Sequence, residues 1–162
     1  MKKINVIIVC LTLALSSMAQ LKTTKAACPP FEVDILDGKV NNYKASATAV
    51  MVKTTWPCFT SATGDTARCG EVVSYKDKGI TFYTSRHYVE INEGFKGKLS
   101  VPLLGAGRGS LFSKLGNPKI KDESWDAYQT NYGTLILYYN KANKVQMIRF
   151  TTEGTTTINL CE

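Results

Sequence analysis

Apolar and polar positions alternate most clearly in two places along the chain. Residues 71–75 and 80–84 flank the turn Lys76-Asp77-Lys78-Gly79 and predict a β-hairpin. Residues 134–139 and 145–151 flank the polar connection 140–144 and predict a second hairpin. In the last run Val145, Met147 and Arg149 point one way while Gln146, Ile148 and Phe150 point the other. Both faces of that strand carry apolar surface, so it is expected to be covered on both sides or central in its sheet.

Shorter strands are predicted over 31–36, closed by Asp37-Gly38, over 87–91, turned by Asn92-Glu93-Gly94, over 98–104 and over 125–128. Segment 43–52 reads two ways. Its Ala-rich half could start a helix, but Thr48, Val50 and Val52 favour a strand, which is the preferred reading, ended by Trp56-Pro57. One short helix is predicted within 109–118: Ser110 caps it, Leu111, Phe112 and Leu115 form its apolar stripe, and Gly116 with Pro118 stops it. Strands far outnumber helices. The expected fold is α+β, a mostly antiparallel meander with one or two short helices, stapled by disulfides.

The block 109–152 carries Leu115-Gly116-Asn117-Pro118 after the helix and an aromatic strand at Trp125 to Tyr128. It then runs Leu135-Ile136-Leu137-Tyr138-Tyr139 through a polar turn into Lys144-Val145. On these residues it resembles the helix-then-meander repeat of the family that includes the SmpA/OmlA outer-membrane assembly lipoprotein and the β-lactamase-inhibitor protein. One copy is legible. The resemblance implies a shape and would suit an inhibitor or immunity-type role, and no functional residue carries over.

Met1-Lys2-Lys3, the apolar stretch to Leu15 and Ser16-Ser17-Met18-Ala19 read as a secretory signal cleaved after Ala19. Cys10 lacks a lipobox context, which argues against a lipid anchor. Residues 20–27 read as a flexible leader and 28–162 as one domain, with no transmembrane segment in the mature chain, which is expected to be periplasmic or secreted. Without Lys2 and Lys3, 18 basic residues face 13 acidic ones, a net +5. The excess is spread along the chain, with Lys76, Lys78, Arg86, Lys96 and Lys98 interrupted by Asp77, Glu90 and Glu93, so no nucleic-acid face is expected.

Export leaves Cys28, Cys58, Cys69 and Cys161, which argues for two disulfides. Of the three pairings, the simplest joins Cys58 to Cys69 across the Gly64-Asp65 turn and Cys28 to Cys161, making the two ends of the domain neighbours. The cysteine spacings lack the paired knuckles of a zinc site, so no metal or cofactor is expected.

Candidate chemistry is thin. Gly107, Arg108, Gly109 and Ser110 could form a weak anion site, although no phosphate-loop pattern accompanies them. His87, the only histidine, would anchor any catalytic triad, with Ser85, Ser100, Asp126 or Glu90 as partners, and otherwise reads as a strand histidine. Arg86 and Tyr88 beside it could present a polar face. Asp122, Glu123 and Asp126 read as a solvated acidic turn. Trp125, Tyr128, Tyr132, Tyr138 and Tyr139 could form a sugar- or peptide-binding patch or pack in the core. The first functional reading is a non-enzymatic binding module acting on another protein. The second is a small-ligand or glycan binder using Trp125 and Tyr128, and the third a hydrolase using His87.

Overall fold

A computed structural model of the protein describes residues 28–161. The signal read over 1–19 and the leader over 20–27 lie outside the described residues. The chain begins with β1 (Glu32–Asp34), β2 (Lys39–Val40) and β3 (Tyr43–Lys44), then helix α1 (Ala49–Thr55). A first meander follows: β4 (Ser61–Ala62), β5 (Val72–Tyr75), β6 (Ile80–Tyr83) and β7 (Tyr88–Asn92). β8 (Lys98–Leu99) and helix α2 (Phe112–Leu115) lead into a second meander, β9 (Ile120–Lys121), β10 (Trp125–Gln129), β11 (Thr134–Tyr139) and β12 (Val145–Thr151).

Both predicted hairpins form. β5 pairs with β6 around Gly79, whose φ of 68° only glycine adopts freely, and β11 pairs with β12 with one register shift after Tyr138. β12 is central, between β7 and β11. The large sheet has the order β4-β5-β6-β7-β12-β11-β10-β9 and is antiparallel throughout. It is two four-stranded meanders joined last strand to last strand, each preceded by a short helix. In each, the third strand follows a positive-φ glycine, Gly79 or Gly133, and the fourth follows a positive-φ non-glycine, His87 or Asn143. The large sheet is thus built from two segments of the same order, a short helix and then four strands, where the sequence makes one legible.

A small sheet, β3-β2-β1-β8, has one parallel pair, β1 with β8. With α1 it covers one face of the large sheet. Phe31 stacks on Trp56 at 5.0 Å, and Trp56 on Phe82 at 5.5 Å; Val33, Ile35, Val73, Tyr75, Ile80, Ile148 and Phe150 complete the core. Trp56 is fully buried, and its removal would leave the kind of cavity that destabilises by about 3–5 kcal/mol.

Four expectations about the helices and the disulfides need correction. Residues 49–55 are helical, although Val50 and Val52 favour strand: Thr48 accepts a hydrogen bond from the Met51 N–H at 3.3 Å, and Ala49, Val52 and Trp56 fall on one buried stripe. Ser110 does not cap α2; it ends a short 3-10 turn, and its hydroxyl donates to the Gly107 carbonyl. Of the expected stripe, Leu111 is buried, Leu115 half-buried and Phe112 63% exposed.

The disulfides join Cys28 to Cys58 and Cys69 to Cys161, with Cα separations of 5.5 and 5.4 Å. The ends are not tied to each other. Because Phe31 stacks on Trp56, Cys28 arrives beside Cys58, two residues beyond the tryptophan, so Cys69 is free for the segment after β12. By the chain-entropy estimate, loops of 30 and 92 residues contribute about 4 and about 5 kcal/mol.

Candidate binding face

The pleat sends alternate side chains of the large sheet away from the core, and the register arranges them in three rows across the strands. The first row runs Trp125, Tyr138, Met147, Asn92. The middle row runs Ala127, Ile136, Arg149, Glu90, Thr81, Ser74. The third runs Gln129, Thr134, Thr151, Tyr88, Tyr83, Val72.

Segment 152–161 crosses the face at the third row. The Glu153 carbonyl accepts from Thr134 Oγ1 at 2.8 Å, and Thr155 donates from both its N–H and its hydroxyl to Gln129 Oε1, each at 3.2 Å. At the far end the Cys161 N–H donates to the Tyr88 hydroxyl at 3.2 Å. Tyr88 and Ile136 are consequently buried although both lie outside the main apolar cluster. Burial pushes the Tyr88 phenol well above its ordinary value. The first row stays uncovered: Trp125, Tyr138 and Met147 are half-buried and Asn92 is exposed.

Arg149 organises the middle. Its Nε donates to Glu90 Oε2 at 2.8 Å and Nη1 to the Tyr138 hydroxyl at 3.0 Å, while the guanidinium lies 4.9 Å from the Tyr138 ring centre. Between the crossing segment and strands β9 to β11 a cleft of about 610 Å³ opens, lined by Ile120, Ser124, Trp125, Ile136 and Tyr138 on one side and by Thr155, Ile158, Asn159 and Leu160 on the other.

The predicted site residues fall in different places. Trp125 lies on the open face, in the cleft wall. Tyr128 and Tyr132 point to the core side; the Tyr132 hydroxyl donates to the Ile35 carbonyl at 3.0 Å, its ring packs edge-on to Phe150, and burial raises its phenol. Arg86 is a clasp rather than a free surface cation, donating to the carbonyls of Arg68, Cys69 and Leu160 and to the Asn159 side chain.

His87 occupies a left-handed turn position before β7 and not a strand, with Nδ1 3.5 Å from Glu153 Oε1. None of its suggested triad partners is brought to it. Ser85 is held by Asp65, Ser100 by Asp34, Asp126 by Arg108 and Glu90 by Arg149.

Gly107, Arg108, Gly109 and Ser110 form the turn before α2, and the anion that Arg108 meets is internal. The guanidinium grips both oxygens of buried Asp126 and donates to the carbonyls of Asp122 and Glu123, and this hydrogen bonding raises its pKa further. Tyr139 adds a hydroxyl donor to Asp126 at 2.7 Å. Asp126 is thus a buried strut, not a member of a solvated turn.

Sequence reasoning missed Met147 and residues 152–160 as parts of this face. The alternation along 145–151 carried the signal for Met147; the Thr- and Gly-rich stretch after it carried none. No family model, curated protein or solved structure matches this chain. Among the described residues, no helix is long and apolar enough to cross a membrane.

Proposed function

We propose that the protein is an exported, non-enzymatic binding module that recognises another protein through the open row Trp125, Tyr138, Met147 and Asn92. One observation carries the reading: two aromatic side chains and a methionine, the types enriched at protein interfaces, stand side by side and half-exposed on three hydrogen-bonded strands. A rigid sheet presents them at little entropic cost on binding. The two disulfides support an oxidising compartment, periplasmic or external. The second helix-then-meander unit supports the likeness to the inhibitor-containing family and with it an inhibitor or immunity-type role, by analogy of shape.

A second reading, a small-ligand or glycan binder, is favoured by the aromatic wall that Trp125 and Tyr138 give the cleft. A hydrolase built on His87 has no comparable support, since its imidazole is half-exposed beside a single carboxylate.

The test is mild cross-linking in the native host, comparing wild type, Met147→Arg on the open row and Val50→Arg on the outer side of α1, where Val50 is 71% exposed. The expected result is one cross-linked protein retained by wild type and Val50→Arg and lost by Met147→Arg. Retention by Met147→Arg, or loss by Val50→Arg, would defeat the reading.

A further inference from the structure

We infer that the Cys69–Cys161 cystine is a redox latch: its reduction by a dithiol protein of the same compartment releases residues 156–161 from the sheet and uncovers Tyr88, adding a second aromatic patch to the open row. The inference deepens the protein-binding reading and rests on it for the use made of the uncovered surface; the latch itself is read without a partner.

The two cystines stand in different settings. Cys28 and Cys58 pack against the core cluster, close in sequence to buried Phe31 and Trp56. Cys69 and Cys161 are partly exposed, and neither side chain packs against that cluster. Cys69 sits in the connection between β4 and β5 and Cys161 in the segment after β12, so parting them disturbs no strand pairing. Ile158 to Cys161 are otherwise held, among the described residues, by three hydrogen bonds. Arg86 donates to the Asn159 side chain and the Leu160 carbonyl, and the Cys161 N–H donates to the Tyr88 hydroxyl. Such bonds contribute modestly because water replaces them, which leaves the covalent link as the main restraint.

The exchange balances. A thiolate of the dithiol attacks one sulfur of the cystine, the S–S bond breaks, and the other sulfur leaves with the bonding electron pair. The dithiol's second thiolate then attacks the mixed disulfide and frees the remaining cysteine. The chain gains two thiols, whose protons come from the dithiol, and the dithiol ends as a disulfide. Arg86 favours the first step. Its guanidinium donates to the carbonyls of Arg68, Cys69 and Leu160, which fixes a cation at the corner where the sulfur leaves, and a neighbouring cation favours a thiolate.

The covered surface continues the open one. Tyr88 is fully buried under the segment although it points away from the core. Its ring stacks on Tyr83 at 4.2 Å, and the Arg149 guanidinium lies 5.6 Å from the Tyr88 ring centre and 4.9 Å from that of Tyr138. Tyr138, Arg149, Tyr88 and Tyr83 thus form one run across the adjacent strands β11, β12, β7 and β6. The open row uses one end of it. Release of 156–161 exposes the rest, in residue types that dominate binding energy at interfaces.

The experiment titrates the disulfide-bonded chain with dithiothreitol, traps free thiols with iodoacetamide and maps them by peptide mass spectrometry. Cys69 and Cys161 should be trapped at a concentration at least about tenfold below that needed for Cys28 and Cys58. Cys69→Ser/Cys161→Ser, which cannot close the latch, should be nitrated at Tyr88 by tetranitromethane while the β10 to β12 amides keep their hydrogen-exchange protection. Oxidised wild type should be spared at Tyr88, and so should Arg86→Gln with its cystine intact. Equal reduction of both cystines, a spared Tyr88 in the double variant, or a nitrated Tyr88 in Arg86→Gln would overturn the latch. In the cross-linking assay the double variant should raise the yield of the Met147-dependent product at least about twofold, and an unchanged yield would overturn the use of the uncovered surface. If Met147→Arg keeps its cross-link while Tyr88 is nitrated as expected, the protein-binding reading falls and the latch stands; failed nitration with that cross-link lost removes the latch alone.

Discussion

Arg149 stands directly opposite Glu90 across the seam between β12 and β7, and this ion pair bridges the two meanders at the middle of the large sheet. Both side chains are less than one-fifth exposed, at 13% and 19%. Arg149→Met would leave the Glu90 carboxylate without its counter-charge and should destabilise the fold by about 2–3 kcal/mol in urea unfolding. Adding Glu90→Gln should recover part of that loss. A single-variant effect below about 0.5 kcal/mol would mean that solvent screens the pair.

The disulfide pairing predicts a distinct peptide map. Digestion without reduction should release fragments joined through Cys28 with Cys58 and through Cys69 with Cys161. Recovery of a Cys58–Cys69 fragment would contradict the packing of Phe31 on Trp56 that brings the first pair together.

Thr48 holds the first turn of α1 by accepting from the Met51 N–H. Thr48→Ala should destabilise by about 1 kcal/mol, and Thr48→Asp or Thr48→Ser by much less. Thermal unfolding with circular dichroism measures the difference. Equal losses in all three variants would remove the cap as the explanation.

Alkaline pH should unfold the protein. Tyr75, Tyr88, Tyr132 and Tyr139 all carry phenols raised above their ordinary value, with burial the first cause in each; for Tyr139 the hydrogen bond it gives to Asp126 adds to it. The folded chain keeps these protons where the unfolded chain has released them. Above about pH 10 it therefore binds more protons than the unfolded chain, and a contribution fully present below that pH is lost as the pH rises. Phenolate absorbance should rise together with loss of the circular dichroism signal. Full ionisation of a still-folded chain would refute the burial argument.

Much of this architecture is written locally, and the rest is not. The hairpins at Gly79 and at 140–144 are legible because alternation and turn chemistry sit within a few residues of each other. Helix α1 is obscured because the β-branched Val50 and Val52 argue for strand, while the signals that decide it, Thr48 as cap and Ala49, Val52 and Trp56 on one stripe, draw their strength from burial against the sheet. The first meander escapes notice as such a unit because its likeness to the second lies in backbone positions such as Gly79 and Gly133, or His87 and Asn143, and scarcely in residue identity. For the candidate face, Trp125 and Tyr138 stand out as aromatics, but nothing in their own strands says that Ile158 and Leu160 come to face them. That placement across one cleft, like the cystine pairing, brings together segments far apart in sequence, and its cause is the path of the whole chain.

The two rims of the large sheet are β4 and β9, and each is only two residues long. A rim that short offers almost no unpaired backbone for an incoming strand to copy, so lateral addition of one molecule to the next finds little purchase. The wide sheet can thus display aromatic surface in its middle without inviting fibre-like stacking, and a visitor must approach it broadside.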